Sequence, residues 1–148
     1  TEEFHAEFET RTGAKVAIDL LSHACSDMFA LKPGMVPLLA ELRSAGHRVG
    51  LLSNTNIAHW RFVYPNRYEE LWPHFELFAL SFELKSLKPL PRIYEQAAEL
   101  AGVPASAIFF VDDRADNVAG AVAAGLDAIR FESAAQVRQE LKRRQALS

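Results

Sequence analysis

The sequence predicts an α/β fold built on a Rossmann-like parallel sheet in three layers. Four short and mostly apolar runs, Arg48–Ser53, Leu77–Ser81, Ile108–Asp112 and Ala128–Phe131, alternate with stretches of helical spacing. Such alternation is the syntax of parallel strands joined by crossover helices. The runs lack the polar alternation of a half-exposed strand, as expected where helices cover both faces. Gly102 and Gly125 each follow a helical stretch and precede a strand, where a left-handed residue ends a helix without strain.

The elements follow in order. Phe4 and Phe8 suggest a first helix that stops near Gly13, and Ala17 to Phe29 carry Ile18, Leu21, Ala24, Cys25 and Met28 close to helical spacing. Pro33-Gly34 breaks that pattern; Val36, Leu38, Leu39 and Leu42 then form a helix that ends at Gly46, where the core unit begins. Helices fit the intervals between strands: Ile57 to about Glu70, Pro91 to Ala101 with proline in its first turn, Ala115 to Ala124, and Ala134 to about Arg144. The chain opens on Thr1 in an amphipathic stretch, with no initiating Met and no strand before it, and reads as a fragment.

Composition narrows the functional classes. The 148 residues are 49% hydrophobic and 24% charged, which fits one soluble domain with a sizeable core. A formal charge of -3 gives no electrostatic footprint for nucleic acid. No apolar run approaches the roughly 18 residues of a membrane span. The single cysteine, Cys25, excludes an internal disulfide, and with no signal-peptide pattern the expected compartment is the cytoplasm.

Three polar groups stand at or near strand exits, where open parallel sheets bind ligands. Ser53 ends the run Val49-Gly50-Leu51-Leu52, and its hydroxyl, with the backbone N–H of Asn54, could donate to phosphoryl oxygens. The alternative is that Ser53-Asn54-Thr55-Asn56 simply caps the next helix. Lys88, held extended by Pro89, can neutralise a phosphate and lower the pKa of a nearby carboxylate, unless it is an ordinary surface lysine. Asp112 and Asp113 are adjacent carboxylates that repel unless a cation or donors compensate them. A hard ion such as Mg²⁺ would do so, though an aspartate here could also serve as a helix cap.

In order and type, Ser53-Asn54, Lys88-Pro89 and Asp112-Asp113 with Asn117 resemble the haloacid dehalogenase-like hydrolase superfamily. The likeness is greatest to its phosphatase branch with a helical cap, the group that includes glucose-1-phosphate phosphatases, and it runs from about Pro33 to Phe131. The resemblance implies a Mg²⁺-dependent phosphatase for small phosphorylated metabolites. Lys88, Asp112 and Asp113 would be catalytic, and Ser53, Asn54 and Lys88 would bind the phosphate. Asp113 would be the metal aspartate, with Asp112 an outer ligand and Asn117 supporting. It also implies that residues 1–31 are the last part of a cap and that residues 32–148 are a core without its first strand. That strand would carry the nucleophilic and acid/base aspartates, and no Asp-x-Asp occurs upstream of Ser53. Without it the sheet would hold two edges facing a gap, and the chain would be a truncated, inactive piece. Two departures stand out: Lys85, where the family usually has glycine, and Leu90, where it often has aspartate. Lys85 therefore competes with Lys88 for the cationic role.

Rival readings are a 2-haloacid dehalogenase-like enzyme, a non-catalytic phosphate- or partner-binding fragment, and a two-component receiver domain. In a receiver the acid pair precedes the hydroxyl and the lysine, opposite to the order here. Asp19 is a candidate nucleophile, but Leu21 stands where a general acid is needed and the spacing is helical. Cys25 is expected to be a buried inert thiol. The five histidines show no paired metal spacing. Trp60, Phe62, Tyr64, Tyr68 and Trp72 are expected to pack in the core and against helices.

Overall fold

A computed structural model describes residues 2–27, 29–32 and 34–148. Met28 and Pro33, used above to place the second helix and its end, lie outside the described residues. The order is α1 (Glu2–Thr12), α2 (Ile18–Ser26), α3 (Met35–Ser44), β1 (Gly50–Ser53), α4 (Ile57–Val63) and β2 (Leu77–Leu80). A helical turn α5 (Ser81–Leu84) follows, then α6 (Pro91–Ala101), β3 (Phe109–Asp112), α7 (Ala115–Ala123), β4 (Asp127–Arg130) and α8 (Ala134–Arg143).

The strands form two parallel pairs, β1 with β2 and β3 with β4. Leu51 is in register with Phe78, and Val111 with Ile129. Among the described residues β1 and β3 are not hydrogen-bonded as neighbours. Successive side chains of a strand point to opposite faces, and β3 follows that rule. Phe110 packs with Ile93, Tyr94, Ala121 and Leu126, beneath α6 and α7. Its neighbours Phe109 and Val111 pack instead against Leu38, Val137 and Leu141, beneath α3 and α8. Helices therefore cover both faces, giving the three-layer α/β architecture expected.

Two expectations need correction. The helix that begins at Ile57 stops at Val63, not near Glu70, because Tyr64 is extended (φ -111°, ψ 136°) ahead of Pro65, as the residue before proline prefers to be. Cys25 is exposed rather than buried. Leu21 and Ser26 of α2 are buried, at 7% and 1% exposure; Cys25 stands only about 40° around the helix from Leu21, on the same apolar face, at a turn where that face is left uncovered. The aromatic residues of α4 and the segment after it do pack together: Trp60 stacks on Tyr64 at 4.8 Å, and both meet Trp72 and Phe78 edge-on. Phe62 turns toward α2 and meets His23 at 4.7 Å. Among the described residues no helix is long and apolar enough to cross a membrane.

Candidate functional site

Lys88 is the centre of the arrangement. Asn54 holds its peptide on both sides: Oδ1 accepts from the Lys88 N–H at 2.8 Å, and Nδ2 donates to the Lys88 carbonyl at 2.9 Å. The side chain, 9% exposed, carries its ammonium to the ends of both strand pairs. There it donates to the Leu52 carbonyl of β1 at 2.8 Å and to Asp112 Oδ2 of β3 at 2.7 Å. The Phe110 ring lies 5.4 Å from the ammonium. A lysine has three N–H donors, and two of these have hydrogen-bond partners among the described residues.

Asp112 is equally enclosed. Its Oδ1 accepts from the Arg114 N–H and from Asn117 Nδ2, each at 2.9 Å. Burial pushes the Asp112 carboxyl up, but the hydrogen bonds from Lys88, Arg114 and Asn117, with the lysine charge, outweigh it and hold the group below its ordinary value. Asn117, 3% exposed, is itself fixed because Tyr94 Oη donates to its carbonyl at 2.7 Å.

Because this carboxyl is more acidic folded than unfolded, the unfolded chain takes up the proton first as pH falls. The stability from Asp112 is complete above the ordinary carboxylate value of about 3.9 and drains away below it. The urea midpoint is expected to drop as pH is lowered through that value, and Asp112→Asn is expected to flatten part of the drop. Equal slopes in the two proteins would show that Asp112 is not held ionised.

The capping alternatives resolve residue by residue. Asn56 alone caps α4, accepting from the His59 N–H at 2.9 Å, so Ser53 and Asn54 are not spent on that helix. Ser53 is partly buried at the end of β1. Helix α7 begins after Arg114 without a side-chain cap. The exposed Asp113 uses its backbone carbonyl to accept from Arg130 Nε at 3.0 Å, while its carboxylate has no hydrogen-bond partner among the described residues. Lys85 is exposed and left-handed (φ 50°, ψ 37°) at the end of α5, a conformation in which glycine avoids strain. Lys88, not Lys85, is the lysine at the acid pair. Asp19 is exposed on α2.

Sequence reasoning missed Ser81. Its Oγ accepts from the Thr55 N–H at 2.9 Å and donates to the Thr55 carbonyl at 2.8 Å, pinning the loop that carries Asn54. The signal was present, since Ser81 closes an apolar run as Ser53 does. A cleft of about 310 Å³ opens beside Asp112 and Asp113, lined also by Lys32, Met35, Val111 and Phe131. A larger hollow of about 750 Å³ near the C-terminus contains none of the predicted site residues.

The donors suit a hard cation only in part. Both Asp112 oxygens are engaged, and among the described residues no three acids, histidines or cysteines are grouped to hold a metal. Asp113 is the available ligand. One carboxylate completed by waters and a phosphate is an ordinary magnesium environment, so the residues fit the ion without enclosing it.

The chain is 32% identical over 112 residues to a phosphatase of Mycobacterium tuberculosis, covering 75% of this chain and 51% of that protein. It is 31% identical over 123 residues to (S)-2-haloacid dehalogenase 4A of Burkholderia cepacia, covering 83% of this chain and 51% of that one. The chain thus spans about half the length of these curated relatives. Among solved structures, a HAD family enzyme of Bacteroides thetaiotaomicron in complex with magnesium and inorganic phosphate superposes with a TM-score of 0.77 at 29% identity, covering 89% of this chain and 69% of that one. The sequence profile of the haloacid dehalogenase-like hydrolases matches residues 3–125, and with these relatives and the parallel α/β core it makes the chain a member of that family.

Proposed function

We propose that the chain carries the phosphoryl clamp of a Mg²⁺-dependent phosphomonoester hydrolase for small phosphorylated metabolites, sugar phosphates among them. One observation carries this reading: a buried ammonium shared by β1 and β3 has, among the described residues, one N–H without a partner at the strand ends. The nearby cleft of about 310 Å³ is at the small end of ligand sites. Ser53 and the Asn54 N–H supply further donors, and Lys88 neutralises charge as it redistributes over the phosphoryl oxygens. Asp113 would hold Mg²⁺, which when bound offsets the repulsion between an anionic nucleophile and the phosphate. In this reading an aspartate that these 148 residues do not provide attacks phosphorus as the ester P–O bond breaks; the alcohol leaves with a proton from a second acid, also not among them, and water then cleaves the aspartyl-phosphate to release inorganic phosphate. Residues 1–31 would contribute the edge of a cap over the cleft. The chain by itself is then a phosphate-binding piece without turnover, working in the cytoplasm.

The test is a titration of the chain with inorganic phosphate, with and without Mg²⁺, beside an assay on an aryl phosphate. Binding without hydrolysis is expected, tightened by Mg²⁺ in the wild type but not in Asp113→Asn. Losing one charged hydrogen bond should make Lys88→Ala bind about 10- to 100-fold more weakly. No binding at millimolar phosphate would overturn the proposal. The dehalogenase relative favours a second, metal-independent reading, and anion binding indifferent to Mg²⁺ would support it.

A further inference from the structure

Gly120 lies inside α7, where glycine is a poorer choice than alanine on helix propensity. Its reason is on the neighbouring loop. A β-carbon at position 120 would stand 2.6 Å from the Pro89 carbonyl oxygen, 2.9 Å from Pro89 Cβ and 3.1 Å from Tyr94 Cε2. Neither side can yield cheaply: the oxygen belongs to the backbone, and the Tyr94 side chain is fully buried. Pro89 directly follows Lys88, whose peptide Asn54 grips from the loop after β1. The lysine loop is therefore held between Asn54 on one side and the bare backbone of α7 on the other.

We infer that Gly120 is a positioning residue for Lys88: by having no side chain it lets Pro89 seat against α7, and that seat sets where the ammonium lies. Hydrogen bonds weaken steeply with displacement, so moving Pro89 outward by one methyl group draws the ammonium from Leu52 and Asp112. The consequence for anion binding rests on the phosphate-clamp reading; the effect on the lysine does not.

The experiment is competitive acylation of the lysines in the full chain, with Lys88 modification read against the exposed Lys142 by peptide mass spectrometry. Gly120→Ala is expected to raise the Lys88-to-Lys142 ratio by about tenfold or more, as local opening of the loop would. The control is Ala121→Gly, which weakens the same helix and leaves the Pro89 contact alone; at matched global stability it is expected to leave the ratio unchanged. An unchanged ratio in Gly120→Ala, or an equal rise in Ala121→Gly, overturns the inference. Should Gly120→Ala fail to fold, the double variant Gly120→Ala/Pro89→Gly frees the loop to move; folding with a reactive Lys88 supports the inference, and failure to fold overturns it. A parallel titration with inorganic phosphate separates the two readings. If Lys88 becomes reactive in Gly120→Ala while the wild type binds no phosphate, the positioning role stands and the phosphate clamp falls.

Discussion

Asp112→Ala is expected to destabilise the chain by about 3–5 kcal/mol, the cost of leaving one member of a buried ion pair without the other. The Lys88 and Asp112 side chains are only 9% and 8% exposed, so water cannot easily replace the lost partner. The substitution also strands the Arg114 N–H and Asn117 Nδ2, which both donate to the same carboxylate oxygen. Against a typical total stability of about 5–15 kcal/mol, this is enough to shift the urea midpoint far to the left. Lys88→Met should show a loss of similar size. The double variant Lys88→Met/Asp112→Leu is expected to lose much less than the two singles combined, because apolar replacement of a whole buried pair is often neutral. A loss below about 0.5 kcal/mol in Asp112→Ala, the range of ordinary surface changes, would mean that the pair is open in solution.

Tyr94→Ala is the second large effect, at about 3–5 kcal/mol for removing a fully buried aromatic. Tyr94 has no exposed surface and meets Phe110 edge-on at 5.8 Å. Its hydroxyl also holds the Asn117 carbonyl, so the loss reaches the acid pair through Asn117. Tyr94→Phe isolates that part. It keeps the ring and leaves a buried acceptor unpaired, at an expected cost of about 1–3 kcal/mol. Burial, with Asp112 and Asp116 nearby, pushes the Tyr94 phenol up to about 12, so its ultraviolet titration step should come near that pH and vanish in Tyr94→Phe. A Tyr94→Phe protein as unstable as Tyr94→Ala would show that the hydroxyl, not the ring, carries the energy.

The fold was legible where burial and chain punctuation agree. Helix α6 runs from Pro91 to Ala101 as expected, because proline suits its first turn and Gly102 ends it left-handed at φ 68°. The strands were legible because both faces are covered and the residues are continuously apolar. Helix α4 is shorter than its apolar periodicity because Pro65 holds Tyr64 extended. Cys25 was misplaced because an apolar spacing marks a face without saying how much of it finds cover.

Around Lys88, chain order singled out Asn54, Lys88 and Asp112, which the structure joins by hydrogen bonds, but it did not show how the two acids differ. Asp112 is the last residue of β3, in register with Arg130, and lies against Lys88; Asp113 follows it and faces solvent. Adjacent residues of like charge carry no sign of that division in sequence. The Asn54 side chain grips the Lys88 peptide across 34 residues of chain, and the glycine at position 120 answers a loop 31 residues upstream. Contacts of that range have no local pattern.

The two parallel pairs of strands share no backbone ladder through β1 and β3 among the described residues, yet one side chain touches both. Lys88 is thus a fastener between the two pairs, and in the phosphate-clamp reading it would carry a second duty as well. A substitution scan scored on function alone would credit this lysine with chemistry that partly belongs to keeping the two halves of the sheet in register with each other. Conversely, a scan scored on abundance would flag it as structural and miss the proposed contact with phosphate. Variation at position 88 should therefore be more restricted than at a residue serving either purpose alone.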